Sequence, residues 1–425
     1  LFIYTALPAA LLITGCKKDY QNPNAATQEE TRRSDRAATA VAAGLERVYT
    51  AGAASPLYAL INANGFVTNE LILRNAGNIP ELQLSTGGNA VDATNTVLAN
   101  VWTKSNKIIY DANNVINFAN GLADKTYSSG LISFASIFKA LSIGNMAMLW
   151  EKIPDTIGQN VTFIDRVDGF KKAVAVLNNA IVAYKANTPS TVVISRLAAG
   201  IDIINTLYAL KARYSLYAGD YAEALAAANL VDLTKRSVFN FDVLLQNPVF
   251  ESATSTNNVY QPIDTTLGLP VSLAPNLADK RIPFYVGINP SIAPRYRIKG
   301  FYETNTSPIP VYLPGEIILI KAEAYARQNK LTEALVELNR VITKKPAEDP
   351  FGVGADLPAI QGSLTQVQLL TEIYRQRSIE LFMSGLKLED MRRFGRPDSE
   401  RKRNFFPYPF QERDNNPNTP PNPTF

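Results

Sequence analysis

Apolar positions in this chain recur at three- and four-residue intervals over much of its length, which predicts helices rather than strands. The segment VLANVWTKSNKIIYDANNVINFA (97–119) places Val97, Val101, Ile108, Ile109, Val115 and Ile116 at roughly helical spacing. Similar patterns run through 37–53, 131–150, 169–186 and 195–218. Two stretches break the period: 75–96, rich in Gly, Asn and Thr, and 237–312, rich in Pro, Asn, Ser and Tyr. Loops that long inside a compact unit commonly carry function. The expected fold class is mainly α, a helical scaffold with long irregular insertions. Trp102 and Trp150 lie within helical patterns and are expected in the core.

The scaffold repeats itself once. LKARYSLYAGDYAEALAAANLV (210–231) and IKAEAYARQNKLTEALVELNRV (320–341) match at an offset of 110 residues, sharing Lys211/Lys321, Ala212/Ala322, Glu223/Glu333, Ala224/Ala334, Leu225/Leu335, Asn229/Asn339 and Val231/Val341. Each copy reads as helix, short polar turn, helix, with small alanines where the two helices meet. The pattern resembles the tetratricopeptide hairpin. Two copies that are not adjacent argue for hairpins set in a larger helical scaffold rather than a regular solenoid. Chance similarity between two amphipathic Ala-rich hairpins is the alternative.

Composition narrows the chemistry. The 425 residues include 42 Lys plus Arg and 38 Asp plus Glu, a net charge of +4, which gives no strong pull toward nucleic acid. The ERKR run at 400–403 suits a solvated helix end better than a phosphate groove. There is no histidine and one cysteine. Histidine-based acid–base catalysis, Ser-His and Cys-His nucleophiles, zinc–thiolate clusters and an internal disulfide are all excluded. No metal or cofactor is expected, and catalysis would fall to carboxylates or lysine.

The one cysteine sits at the end of an uncharged apolar run, LFIYTALPAALLITGC. Fifteen residues are short for a membrane span, which takes roughly 20, but suit the core of a secretory signal. The run has no Met and no basic leader, as expected of a signal whose first residues are missing. Its end, Ile13-Thr14-Gly15-Cys16, resembles the bacterial lipobox, which implies cleavage before Cys16 and lipid on its sulfur and amine. Each buried lipid CH₂ contributes ~0.8 kcal/mol, so several chains on one residue hold firmly. The expected organisation is a signal at 1–15, a lipidated polar tether at 16–36 (KKDYQNPNAATQEETRRSD from 17 to 35), and one helical domain at 37–425 with its loop-rich insertion near 237–312.

The segment RQRSIELFMSGLKLEDMRRFG (375–395) reads first as structure. Glu380 lies one turn from Arg377 and could pair with it. Gly385 suits a helix C-terminus, Arg392 and Arg393 suit the end of a second short helix, and Gly395 with Pro397 stops it. Nearby cations would hold Glu380 ionised as a counter-ion. The run also resembles the C-terminal motif of SusD/RagB nutrient-binding outer-membrane lipoproteins, with matches at Arg377, Glu380, Leu381, Gly385, Asp390, Arg393 and Gly395. Ser384, Lys387 and Met391 depart from it, which suggests a thinner charge network. LADKRIPFYV (277–286), the 314–341 hairpin and FFPYPFQERDNNPN (405–418) resemble other segments of that family in order.

The resemblance implies a SusD-like helical fold and a non-enzymatic, lipid-anchored protein on the outer membrane of a Bacteroidetes-type bacterium. It would bind an oligosaccharide, or a peptide, and pass it to a SusC-like TonB-dependent transporter. The Lys17-Lys18-Asp19 after the cysteine bears on which leaflet the domain faces. Sugar sites need aromatic faces flanked by hydrogen-bonding side chains. Arg74, Asn75 and Asn78 in the first loop are candidates, with Tyr285, Tyr296 and Tyr302 beside Arg295 and Arg297 in the second. The alternative is that these tyrosines pack the insertion onto the helices. Two other function classes stay open: a helical-repeat adapter lipoprotein in envelope assembly, and a glycoside hydrolase using two carboxylates.

Overall fold

The structure, a computed structural model, describes residues 34–424 apart from 256, 257 and 292. The lipobox, with Cys16, and nearly all of the expected tether lie outside the described residues.

The helical patterns fold as helices. In chain order the first half comprises α1 (Asp35–Thr50), α2 (Pro56–Val67), strand β1 (Leu71–Leu73), α3 (Ile79–Thr86), α4 (Thr96–Asn120), α5 (Lys125–Leu149), strands β2 (Lys152–Pro154) and β3 (Phe163–Asp165), α6 (Arg166–Ala186) and α7 (Thr191–Ile194). The second half comprises α8 (Ile203–Tyr217), α9 (Tyr221–Ala228), β4 (Val238–Phe239), β5 (Tyr260–Pro262), α10 (Arg281–Tyr285), β6 (Val286–Ile288), β7 (Tyr296–Ile298), β8 (Ile309–Pro310), α11 (Pro314–Arg327), α12 (Leu331–Thr343), α13 (Gln366–Glu380), α14 (Lys387–Arg393) and α15 (Phe410–Asn415).

Side-chain caps set the helix starts. Ser34, Ser55, Asn95, Asp124, Asp202 and Asp220 each accept a backbone N–H from the first turn that follows, relieving donors that have no partner inside the helix. Two sequence expectations need correcting. Residues 195–202 are not helical, because α8 begins only after its Asp202 cap. The 75–96 stretch is not all loop, because Pro80 in the first turn launches α3.

Helix α5 is the centre of the molecule. It packs against α4 on one side and α6 on the other, and α8 and α1 also touch it. Its sequence is long and apolar enough for a membrane span, yet 89% of its most apolar window is buried inside the protein. It is the core helix of the bundle. Trp150, which caps its C-terminus, is fully buried and meets Trp102 of α4 edge-on, with centroids 4.8 Å apart.

The two repeat copies form matching hairpins, α8–α9 and α11–α12, and α9 packs on α11. Gly219 and Asn329 hold the same turn position, both with positive φ (81° and 59°). Lys211 pairs with Glu223, while Lys321 pairs with Glu337 at 2.7 Å, one turn further along. The equivalent lysine thus clamps each hairpin.

One buried group opposes the fold. Glu46 of α1 is 7% exposed, and its Oε2 has no hydrogen-bond partner among the described residues. Burial pushes its carboxyl up to about 8. An acid raised in the fold stays protonated where the unfolded chain is ionised, so its destabilising effect grows between about pH 4.5 and 8. Glu46→Gln is expected to raise unfolding free energy by about 2–4 kcal/mol at pH 8.5 and by almost nothing at pH 4. Urea titrations at the two values check this; an equal gain at both would mean the carboxyl is ionised in the fold.

Candidate ligand-binding surface and the charged corner beneath it

The C-terminal motif folds into a buried corner between α13 and α14. Arg377 makes two bonds to Asp390, at 2.9 and 3.0 Å. Arg393 makes two to Glu323 of α11, at 2.8 and 2.7 Å, and one to Asp390 at 2.9 Å. Glu380 does not pair with Arg377, as its helical spacing suggests. It turns to Arg281 of α10 at 3.0 Å and to Lys344, just past α12, at 2.7 Å. Asp279 grips Arg281 at 3.0 and 2.7 Å, and Lys344 also reaches Asp349 at 2.6 Å. The i, i+3 geometry lost because each group has an ideal partner on another element.

Burial alone would raise the Glu380 carboxyl, but Lys344 and Arg281 more than offset it and hold it below its ordinary value. Glu323 is also buried, and Arg393, Arg377 and Arg327 bring its carboxyl down to about 2. Both are counter-ions at neutral pH, not proton donors.

Glycines complete the corner. Gly385 does not end α13, which closes at Leu381. It sits in the following turn at φ 80°, where a Cβ would lie 2.8 Å from Leu60. Gly395 follows the C-cap of α14 at φ 61°, the left-handed conformation that favours glycine after a helix.

Two of the candidate tyrosines belong to this corner and not to a ligand surface. Tyr285 is 1% exposed and donates to the Glu380 carbonyl at 2.6 Å; Tyr302 is 3% exposed and donates to the Met383 carbonyl at 2.8 Å. They line an internal cavity of about 60 Å³, room for roughly two water molecules and too small for a sugar ring. A run of tyrosines in a Pro- and Asn-rich insertion does not reveal which hydroxyls reach backbone carbonyls, so sequence alone could not separate them from Tyr296.

The other candidates lie on the outer loops. Strands β1 and β5 pair antiparallel, with Leu71 opposite Pro262 and Leu73 opposite Tyr260. As the chain leaves β1, the backbone N–H groups of Arg74 and Asn75 both donate to the Val259 carbonyl, at 2.7 and 3.3 Å. The Asn75 side chain accepts from Gly77 at 3.0 Å, and Asn78 donates to the Asn75 carbonyl at 3.2 Å, which fixes the turn into α3. Arg74 is exposed, and its guanidinium has no partner among the described residues.

The β6–β7 hairpin docks beside this turn. Ile298 N–H donates to the Gln261 side chain at 3.0 Å, and Arg297 donates to Asn258 at 3.1 Å. Arg297 therefore reaches Asn258, one residue from the Val259 carbonyl that anchors Arg74 and Asn75. At the loop end of the hairpin Tyr296 pairs with the exposed Ile288, and the Arg295 guanidinium lies 5.7 Å from the Tyr296 ring centroid. Tyr296 is half-buried, unlike Tyr285 and Tyr302. Asn258 was missed by sequence reasoning; its side-chain oxygen accepts from both Arg297 and, at 2.9 Å, Gln261.

The α13–α14 part of the corner and the second repeat hairpin fall within a stretch that matches the SusD family model, residues 295–423. The helical bundle around them is that of solved SusD superfamily structures. The fold is SusD-like. A SusD-like protein of Bacteroides fragilis NCTC 9343 superposes with a TM-score of 0.69 at 13% identity, over 94% of this chain and 99% of its own. A SusD-like carbohydrate-binding protein of the same strain gives 0.65 at 15% identity, over 85% and 86%. Another, from Bacteroides vulgatus ATCC 8482, gives 0.66 at 16% identity, over 85% and 83%. At these identities the likeness is one of fold. No curated protein sequence matches the SusD-like chain.

Proposed function

We propose that this SusD-like chain binds a glycan on the surface formed by the β1–α3 turn and the β6–β7 hairpin, without turning it over. The observation that carries the reading is that the β1–α3 turn and the β6–β7 hairpin are anchored on neighbouring residues, Val259 through the Arg74 and Asn75 N–H groups and Asn258 through the Arg297 side chain, with the exposed Arg74 guanidinium unpartnered among the described residues and the half-buried Tyr296 ring, beside the Arg295 guanidinium, next in the strand to Arg297. Flat ring faces contact sugar C–H groups, and guanidinium and amide groups bond vicinal hydroxyls. The carbohydrate-binding relatives of the same fold agree with it. Held by a lipid at Cys16 on the outer surface of a Bacteroidetes-type cell, the protein would present its ligand to a SusC-like TonB-dependent transporter. A peptide ligand would use the same amides and guanidinium.

Isothermal titration against a glycan panel tests this. Arg74→Ala and Tyr296→Ala are each expected to weaken the best-bound oligosaccharide by about tenfold, the loss of one charge-assisted bond or one ring face, with unchanged melting temperature for Arg74→Ala and a small drop for Tyr296→Ala, whose ring packs partly on the core. Tyr285→Phe should leave binding unchanged and lower stability. Retained affinity in both alanine variants would move the site elsewhere, and release of shortened sugar would mean a hydrolase. Co-purification of the lipidated protein with a large barrel transporter separates this reading from an envelope-assembly adapter.

A further inference from the structure

A second polar pocket, of about 140 Å³, opens between α4, α5, α6 and the turn after β2. None of these elements carries the loop surface described above. Its polar lining is Asn106 and Asn113 of α4, Lys139 of α5, Asp155 and Thr156 in the turn and Lys172 of α6; Ile109, Ile143 and Met146 form an apolar floor.

The charges in it do not balance. Lys172 bonds Asp155 at 3.0 Å, so that cation is neutralised. Lys139 is half-buried and has no ion-pair or hydrogen-bond partner among the described residues. The pocket therefore carries one unmatched positive charge. Burial, and then Lys172, push the Lys139 ammonium below its ordinary value; the attraction of an incoming anion would act against that shift. The Asn113 amide is likewise without a partner, while Asn106 uses one N–H on the Trp102 carbonyl at 3.1 Å.

We propose that this pocket binds a small organic monoanion, a short-chain carboxylate whose oxygens meet Lys139 and Asn113 and whose carbon chain lies on Ile109, Ile143 and Met146. A single unmatched charge on an apolar floor favours a carboxylate over a phosphate dianion, which would be left half-neutralised in a partly dry site. The β2–β3 turn closes one side, and its exposed Thr156 hydroxyl can meet a polar substituent on the ligand.

The test uses the whole chain with butyrate, butyramide and inorganic phosphate as probes, read by lysine ammonium and amide shifts in NMR titrations. Butyrate is expected to saturate, with butyramide weaker by about tenfold for want of the charge-assisted bond. Lys139→Met should weaken butyrate by about tenfold or more and melt no lower than the parent, because it removes an unpaired half-buried cation. Asn113→Phe fills the pocket while keeping Lys139, and should abolish the butyrate shifts. Absence of saturation, equal binding of butyramide, unchanged affinity in Lys139→Met, or phosphate binding tighter than butyrate would each overturn the proposal. Arg74→Ala leaves this pocket intact, so failure of the glycan reading and failure of this one are separable.

Discussion

Arg281→Met is expected to destabilise the fold by about 3–5 kcal/mol, the usual consequence of removing one partner from a buried ionic cluster. Arg281 is fully buried and serves three acceptors: Asp279 through two bonds, Glu380 at 3.0 Å, and the Gln376 side chain. Met fills the volume but leaves Asp279 with only the Arg281 backbone N–H, at 3.0 Å, and Glu380 with Lys344. Arg281→Lys keeps the charge yet cannot reach three planar acceptors at once, so an intermediate loss is expected. Equilibrium urea unfolding reads both. A loss below about 1 kcal/mol for the Met variant, the range of exposed pairs, would mean that water enters the corner.

Gly315→Ala is expected to be of similar severity for a steric reason. Gly315 lies in the first turn of α11, and a Cβ there would sit 1.8 Å from Oε1 and 2.4 Å from Cδ of Glu380. Glu380 cannot swing away without leaving Lys344 and Arg281. The added methyl therefore breaks the ionic cluster or displaces the start of α11, at about 3 kcal/mol or more. Gly219→Ala is the control. It meets no atom within 4 Å but sits at φ 81°, so it should cost only about 1–2 kcal/mol. Thermal unfolding of the pair separates crowding from backbone strain; equal losses would show that the approach of Glu380 is not what requires glycine.

Much of the scaffold was readable because amphipathic spacing and capping residues are local. The run 97–119 became a helix over Thr96–Asn120, and both repeat hairpins formed with the turn where the alignment placed it. Charge partners were not readable. Arg377 and Glu380 look like a helical pair in one dimension, but Asp390 lies 13 residues away and Arg281 lies 99, and only the three-dimensional corner chooses them. The insertion hid most. Tyr285, Tyr296 and Tyr302 are alike in sequence, and two of them point inward because carbonyls of the 380–383 turn await a donor there. Arg74 and Asn75 were visible as polar loop residues, but their backbone bonds to Val259 depend on the β1–β5 pairing, which joins residues about 190 positions apart.

The segment after α13 also threads back over the first helices. Met383 N–H donates to Glu70 at 3.2 Å, Leu388 N–H to the Asn64 side chain at 3.2 Å, Lys402 N–H to the Val67 carbonyl at 2.8 Å and Phe406 N–H to the Leu149 carbonyl at 3.1 Å, while the Trp150 indole donates to the Pro407 carbonyl at 3.0 Å. Several of these contacts span more than 300 residues of chain. Contacts of such range form late, after much loop-closure entropy has been lost. Until residues 377–408 arrive, a nascent chain exposes unpaired carboxylates and an uncovered tryptophan. The completed fold is thus closed by its last segment, and its folding rate is set by how fast residues 377–408 find the first helices.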